Sequence, residues 1–264
     1  MSMKGRLLQQ GIAVGGTAAQ ARAYARQGLL VDTPSNGPFQ KAPVCLLDPM
    51  TAVEWMDDFF EFTINSGSNE VGWVETDIQG TNTATIATPA DTGRAAGHAL
   101  CLTTGANPSD GISVQWHHGI CCPTAGDKLW FEARISVGAN SADAPLLVGL
   151  CNIDTSPFAS APDGMWFESN GTALTAHTLV TGSGLTELTA TIGAVAASTW
   201  YRLGMFLDGK ANTLQVFLDG ALVHTFTTAA SLPFGEVLTP TFAALRGSAA
   251  EAVYCDYMKF IHLF

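Results

Sequence analysis

Residues 200–226, WYRLGMFLDGKANTLQVFLDGALVHTF, read as strand, turn, strand, turn, strand. Tyr201, Leu203, Met205 and Leu207 alternate with Trp200, Arg202, Gly204, Phe206 and Asp208. Leu214, Val216 and Leu218 then alternate with Gln215, Phe217 and Asp219. In the third run Leu222, His224 and Phe226 fall on one side, with Val223, Thr225 and Thr227 on the other. A period of two marks strands with one buried face. Asp208-Gly209 and Asp219-Gly220 separate the runs. Asp-Gly favours a hairpin because Gly accepts a positive φ without a Cβ clash and Asp tolerates one. The stretch is an antiparallel meander.

The same alternation extends outward. In KLWFEARISV (128–137), Leu129, Phe131, Ala133, Ile135 and Val137 face one way, opposite Trp130, Glu132, Arg134 and Ser136. VGWVETDIQG, HALCLTTG, GISVQWHHGICC, LLVGLCNID, GMWFES, ALTAHTLVTG, LTELTATIG, LTPTFAALRG and AVYCDYMKFIHLF follow the same grammar, with Gly, Asn and Asp between them. EWMDDFFEF (54–62) brings a dense aromatic start, and the Thr-rich residues 81–97 are an edge strand or a loop. Many short strands, frequent turns and no convincing helix give an all-β, two-sheet antiparallel jelly-roll sandwich over residues 51–264.

Residues 1–50 differ. Thr17 can cap a short helix over residues 18–27, closed by Gly28, and Pro34, Pro38, Pro43 and Pro49 then keep the chain extended. This is an extended N-terminal arm, which either docks on a partner or packs back on its own domain. Lys4, Arg6, Arg22, Arg26 and Lys41 stand against Asp32 alone, so residues 1–41 carry +4 and the rest −15, within a net charge of −11. An acidic body repels phosphate backbones, which excludes non-specific nucleic-acid binding. The five basic arm residues are candidate partner-binding residues for an acidic protein surface.

Only 13% of residues are charged against 47% hydrophobic, so the surface is built of Thr, Ser, Asn, Gly and Ala, which suits glycan-like solvation or cover by a partner. No run approaches the ~18 apolar residues of a membrane span. LLQQGIAVGG is too interrupted for a signal peptide. The six cysteines stand in apolar or strand-like contexts and read as reduced thiols of a cytosolic product.

Several segments together resemble the concanavalin A-like lectin/glucanase sandwich, laminin-G-like domains included. They are the meander at 200–223 and the closing CDYMKFI at 255–261. With DDFFEF (57–62), LWFEARI (129–135), VGLCNID (148–154) and DGMWFES (163–169), the set is similar to a group of tailed-phage virion proteins. That resemblance implies a non-enzymatic capsid decoration or cement subunit, often trimeric. It would bind the major capsid protein on the capsid exterior through its arm, after synthesis in the host cytoplasm. The alternative is a carbohydrate-binding, lectin-like module, with a glycoside hydrolase a more distant reading.

The residues offer few chemical leads. Glu75-Thr-Asp77-Ile-Gln79 resembles the E-x-D-x-E strand of laminarinase-type glycosidases, but Gln79 cannot move a proton. His117-His118 and Cys121-Cys122 invite a metal reading, yet adjacent strand residues point to opposite faces. Asp154 and Asp163 lie in acidic loops without the oxygen ladder calcium needs. Trp130, Trp166 and Trp200 are candidates for a sugar-stacking platform or for the core. No catalytic residue, metal site or cofactor is expected.

Overall fold

The computed structural model describes residues 52–60, 62, 64, 72–88, 98–138, 145–159, 162–171, 173–181, 187–247, 249–250 and 252–264. The arm, its helix and Lys4, Arg6, Arg22, Arg26 and Lys41 lie outside them, as does the expected boundary after residue 50.

Two antiparallel sheets face each other. The eight-stranded sheet holds β1 (Ala52–Asp57), β3 (Thr83–Ala87), β4 (Ala99–Thr103), β6 (Lys128–Val137), β11 (Trp200–Asp208), β12 (Thr213–Leu218), β13 (Ala221–Phe226) and β15 (Ala252–Leu263). Its order is β13-β12-β11-β6-β15-β4-β3, and β1 pairs the C-terminal half of β15. The seven-stranded sheet holds β2 (Trp73–Gln79), β5 (Gly111–Trp116), β7 (Pro145–Cys151), β8 (Gly164–Asn170), β9 (Ala173–Leu179), β10 (Leu188–Ala194) and β14 (Thr239–Leu245). Its order is β10-β9-β8-β7-β14-β5-β2.

The alternation in β6 and β11 is realised as read. Leu129, Phe131, Ala133, Ile135 and Val137, with Leu203, Met205 and Leu207, are fully buried between the sheets. They meet Ile112, Val114, Leu146, Val148, Leu150, Met165, Phe167 and Phe242 of the seven-stranded sheet. Trp73 closes one end of this core. It lies 5.5 Å from Phe59, 5.8 Å from Trp55 and 5.7 Å from Trp116, ring centre to ring centre, and its indole Nε1 donates to Asp57 Oδ2 at 2.8 Å.

The two Asp-Gly pairs do different work. Asp219 (φ 50°) and Gly220 (φ 84°) are both left-handed, as a two-residue type I′ turn requires, and Leu218 pairs with Ala221 across it. Asp208-Gly209 opens a longer loop instead. Asp208 Oδ1 accepts the N–H groups of Lys210 and Ala211, and Asn212 takes the left-handed conformation. Gly209 is needed for close approach, because a Cβ there would come within 2.6 Å of Gly126 N.

The third strand departs from simple alternation. Val216 pairs with His224 but Phe217 with Leu222, so Val223 is the extra residue of a β-bulge. Leu222 therefore leaves the face it was expected to share with His224, and both Leu222 and Val223 are exposed.

Asp127, at the start of β6, joins three distant segments. Its Oδ2 accepts Thr124 N at 2.7 Å, the Thr124 hydroxyl at 3.0 Å and His262 Nε2 of β15 at 3.1 Å. Its carbonyl accepts Gly209 N. Burial opposes ionisation of this carboxyl, but the Thr124 backbone N–H, then His262 and the Thr124 hydroxyl, outweigh it and hold the group below its ordinary value. A carboxylate depressed on folding stabilises the fold above its unfolded pKa, about 3.9, and that contribution is lost as pH falls through the folded value. Asp127→Asn is therefore expected to lower stability at pH 7 and to flatten the acid limb of a denaturation-versus-pH profile. An unchanged acid limb would contradict this role.

Candidate functional site on the outer face of the seven-stranded sheet

The residues singled out in the sequence that fall among the described ones each have a definite place, and these places do not converge. Glu75 pairs with Val114 and Asp77 with Ile112, both core residues, so the two acids face the inter-sheet side of the edge strand β2. Asp77 Oδ1 accepts Asn82 Nδ2, which also donates to Gln79 O. Burial, then the Asp77 charge, pushes Glu75 above the usual carboxylate range. Cys121 turns into the core, bridges to Leu238 and has its thiol pushed up to about 12, chiefly by burial, which makes it inert. His117 and His118 contact each other, and Cys122 is exposed. Among the described residues no group of three His, Cys, Asp or Glu side chains is placed to hold a metal ion.

The tryptophans form no exposed platform. Trp130 and Trp166 are buried, and Trp200 is half-buried under the Arg134 guanidinium at 4.9 Å. On the outer face of the eight-stranded sheet the charges are already paired. Arg134 meets Asp256 at 2.8 Å, and Glu132 is held by Lys259 at 3.2 Å and by the Tyr257 hydroxyl.

The outer face of the seven-stranded sheet is different. Strand register sets His177, Trp166, Gly149, Thr241 and Gln115 side by side across β9, β8, β7, β14 and β5. Their chain neighbours Ala176, Phe167, Val148, Phe242 and Val114 enter the main core, so this row faces away from it. The next row along the same face carries Thr175, Glu168, Leu147, Ala243 and Ser113. Gly149 has no room for a side chain, because a Cβ would come within 2.5 Å of Trp166 Cα and Cβ.

Trp166 stacks on His177 with ring centres 5.1 Å apart and planes 15° from parallel. His177 Nδ1 is hydrogen-bonded to Glu187, which directs Nε2 away from that carboxylate. At the other end of the row Gln115 is a three-way tie. Its Nε2 donates to Thr241 Oγ1 at 2.9 Å and to Asn152 O at 3.2 Å, while its Oε1 accepts Asp154 N at 2.9 Å. The loop after β7 is thereby fastened along the face. Asp163, at its far end, accepts Thr181 N and the Thr181 hydroxyl. Phe158 of the same loop packs on Leu147, Cys151, Trp166, Leu179 and Ala243.

Four buried polar atoms on or beside this face have no hydrogen-bond partner: Ser113 Oγ, Asn152 Oδ1, Trp166 Nε1 and His177 Nε2. Leaving a buried polar atom unpaired costs about 1–3 kcal/mol, and folded proteins rarely tolerate several together. The set mixes a donor (the indole N–H), acceptors (the amide oxygen and, with Nδ1 protonated, the imidazole Nε2) and a hydroxyl that can be either. Such a set complements groups that both donate and accept. Sequence reasoning missed it because its members come from strands far apart in the chain. The available signal was the polar residues Ser113, Gln115, Thr239 and Thr241 inside otherwise apolar strands.

No protein-family model and no curated protein sequence matches the chain. Solved structures do match in fold. A Shewanella oneidensis protein of unknown function aligns with a TM-score of 0.57 at 15% identity, covering 81% of this chain and 87% of that one. The carbohydrate recognition domain of Emp47p aligns with a TM-score of 0.52 at 12% identity, covering 81% and 97%. An endo-1,3-β-glucanase from Streptomyces sioyaensis aligns with a TM-score of 0.51 at 15% identity, covering 84% and 99%.

These likenesses correct the expectation of a non-enzymatic capsid decoration subunit and trimer. The motifs behind it lie on β6, β7, β8, β11, β12, β13 and β15 and in the segment that follows β1 from Asp57, and they carry no virion-specific signal. The matched folds include a carbohydrate recognition domain and a hydrolase, so the exclusion of catalysis falls as well. The chain is an all-β, two-sheet antiparallel sandwich of the concanavalin A-like jelly-roll type.

Proposed function

We propose that this chain is a glycan-binding sandwich whose ligand is received at the His177 end of the outer face of the seven-stranded sheet, beside the exposed Thr189 and Thr191. The observation that carries the reading is the set of four unpartnered buried polar atoms on or beside that face. Sugar hydroxyls both donate and accept, so they suit such a mixed set. Trp166, Gly149, Thr241 and Gln115 are buried, and the half-buried His177 is the member of the row that a ligand meets first. The fold shared with a carbohydrate recognition domain and a β-1,3-glucanase supports the same ligand class. Access runs from the β9–β10 side, where Thr189 and Thr191 are exposed, and past the half-buried Phe158.

Binding to a glycan array, followed by calorimetric titration of the best binder, tests this. His177→Ala is expected to weaken binding at least tenfold, the equivalent of about 1.4 kcal/mol, measured at a temperature where the variant, which also loses the Trp166 stack and the Glu187 hydrogen bond, is still folded. No binding to any glycan, or undiminished binding by the variant, would contradict the proposal.

A second reading, cleavage of the bound glycan, is favoured by the His177–Glu187 pair. A carboxylate that orients an imidazole and leaves its second nitrogen without a partner is the arrangement of a general base. Release of reducing ends from the bound glycan, lost in His177→Ala, would support it. Intact glycan after prolonged incubation would remove it.

A further inference from the structure

Resting on the glycan reading, we infer that the site selects uncharged glycans and rejects uronate-bearing, sialylated and sulfated ones. Two independent observations carry this.

The first is the distribution of charge. The seven strands of this sheet contain no Lys or Arg. Lys128, Arg134, Arg202 and Lys259 all stand on the other sheet, Lys210 is in its β11–β12 loop, and Arg246 follows the end of β14 beside Asp110. The groups on and around the proposed face are acids. Glu168 lies in the row beside Trp166, Glu187 holds His177, and Asp154 and Asp163 belong to the loop fastened by Gln115. Glu168 is half-buried and makes no hydrogen bond or ion pair with a described residue. An anionic glycan would be desolvated against these carboxylates, with no cation among the described residues of this sheet to receive it. Repulsion of this kind builds specificity against the wrong ligand, as favourable contacts build it toward the right one.

The second is the polarity of the unpartnered atoms. Asn152 Oδ1 and, with Nδ1 protonated, His177 Nε2 need donors. Carboxylate and sulfate oxygens only accept, so wherever one of them takes the place of a hydroxyl the facing atom stays unpaired. Hydroxyls can satisfy both atoms, each donating once, and a hydroxyl oxygen can also take the Trp166 N–H. Ser113 and Trp166 are each only 1% exposed, so their demand for partners is that of buried groups.

The test compares the tightest-binding neutral oligosaccharide with the same chain oxidised at C6 to the uronate, at low salt and by calorimetry. The oxidised chain is expected to bind at least tenfold more weakly. Glu168→Gln is expected to narrow that gap several-fold by raising affinity for the oxidised chain. An anionic glycan as the tightest ligand on the array, or equal affinity for the oxidised and parent chains, would overturn the charge selection and leave glycan binding standing. Binding to no glycan would overturn both.

Discussion

Trp73→Ala is expected to cost the sandwich about 3–5 kcal/mol, measured by urea unfolding, because it removes a fully buried indole at the closed end of the core. The indole is 2% exposed and touches the rings of Trp55, Phe59, Phe62 and Trp116, which reach it from β1, the segment after it and β5. No single neighbour can collapse into the space it leaves. The substitution also takes the Nε1 donor from Asp57 Oδ2, though Asp57 Oδ1 keeps the Phe59 N–H. Trp73→Phe separates these effects. It keeps most of the ring packing and loses the hydrogen bond, so its cost is expected near 1–3 kcal/mol. Folded domains have only about 5–15 kcal/mol in hand, so the alanine variant sits close to unfolding. A loss below 1 kcal/mol in Trp73→Ala would show that this aromatic cluster does not close the core.

Gln115→Ala is expected to give the second large effect, and on two readouts. The side chain ties β5 to β14 through Thr241 and fastens the loop at Asn152 and Asp154. Removing it leaves Asp154 N and Thr241 Oγ1 each without one partner, at about 1–3 kcal/mol for a buried group. The same loop carries Asn152 and Phe158 over the proposed face, so glycan affinity should fall with stability. Gln115→Glu keeps an acceptor for Asp154 N but loses both donated bonds and adds charge beside Asp154, and should rescue neither property. If Gln115→Ala lowered stability while leaving glycan affinity intact, the loop would be structural only.

The fold was legible because burial writes a period of two into the strands. Leu129 to Val137 and Leu203 to Leu207 needed no tertiary information to place on one face. Asp219-Gly220 was equally plain, since few residue pairs accept two left-handed conformations in succession. The bulge at Val223 was not legible. Leu222, Val223 and His224 alternate perfectly well as text, and only pairing against Val216 and Phe217 reveals the extra residue. Glu75 and Asp77 resembled a glycosidase strand for a related reason: their period-two spacing does put them on one face, but that face turns toward the other sheet.

The site was harder still. His177, Trp166, Gly149, Thr241 and Gln115 span well over a hundred positions, and only the β9-β8-β7-β14-β5 order makes them neighbours. None is an unusual residue for a strand. The resemblance to virion proteins drew on strands whose residues answer to the core, so it carried fold without function. The absence of Lys and Arg from all seven strands was visible in the sequence. It gained meaning only when those strands proved to form one sheet.

The most direct test of the central claim is calorimetric titration of the folded wild-type chain and of His177→Ala with the tightest-binding glycan found on an array. Saturable binding to wild type, weakened at least tenfold in a variant that is folded at the temperature of the titration, is the predicted result. Equal binding by the two proteins, or none by either, would contradict a glycan site on the outer face of the seven-stranded sheet.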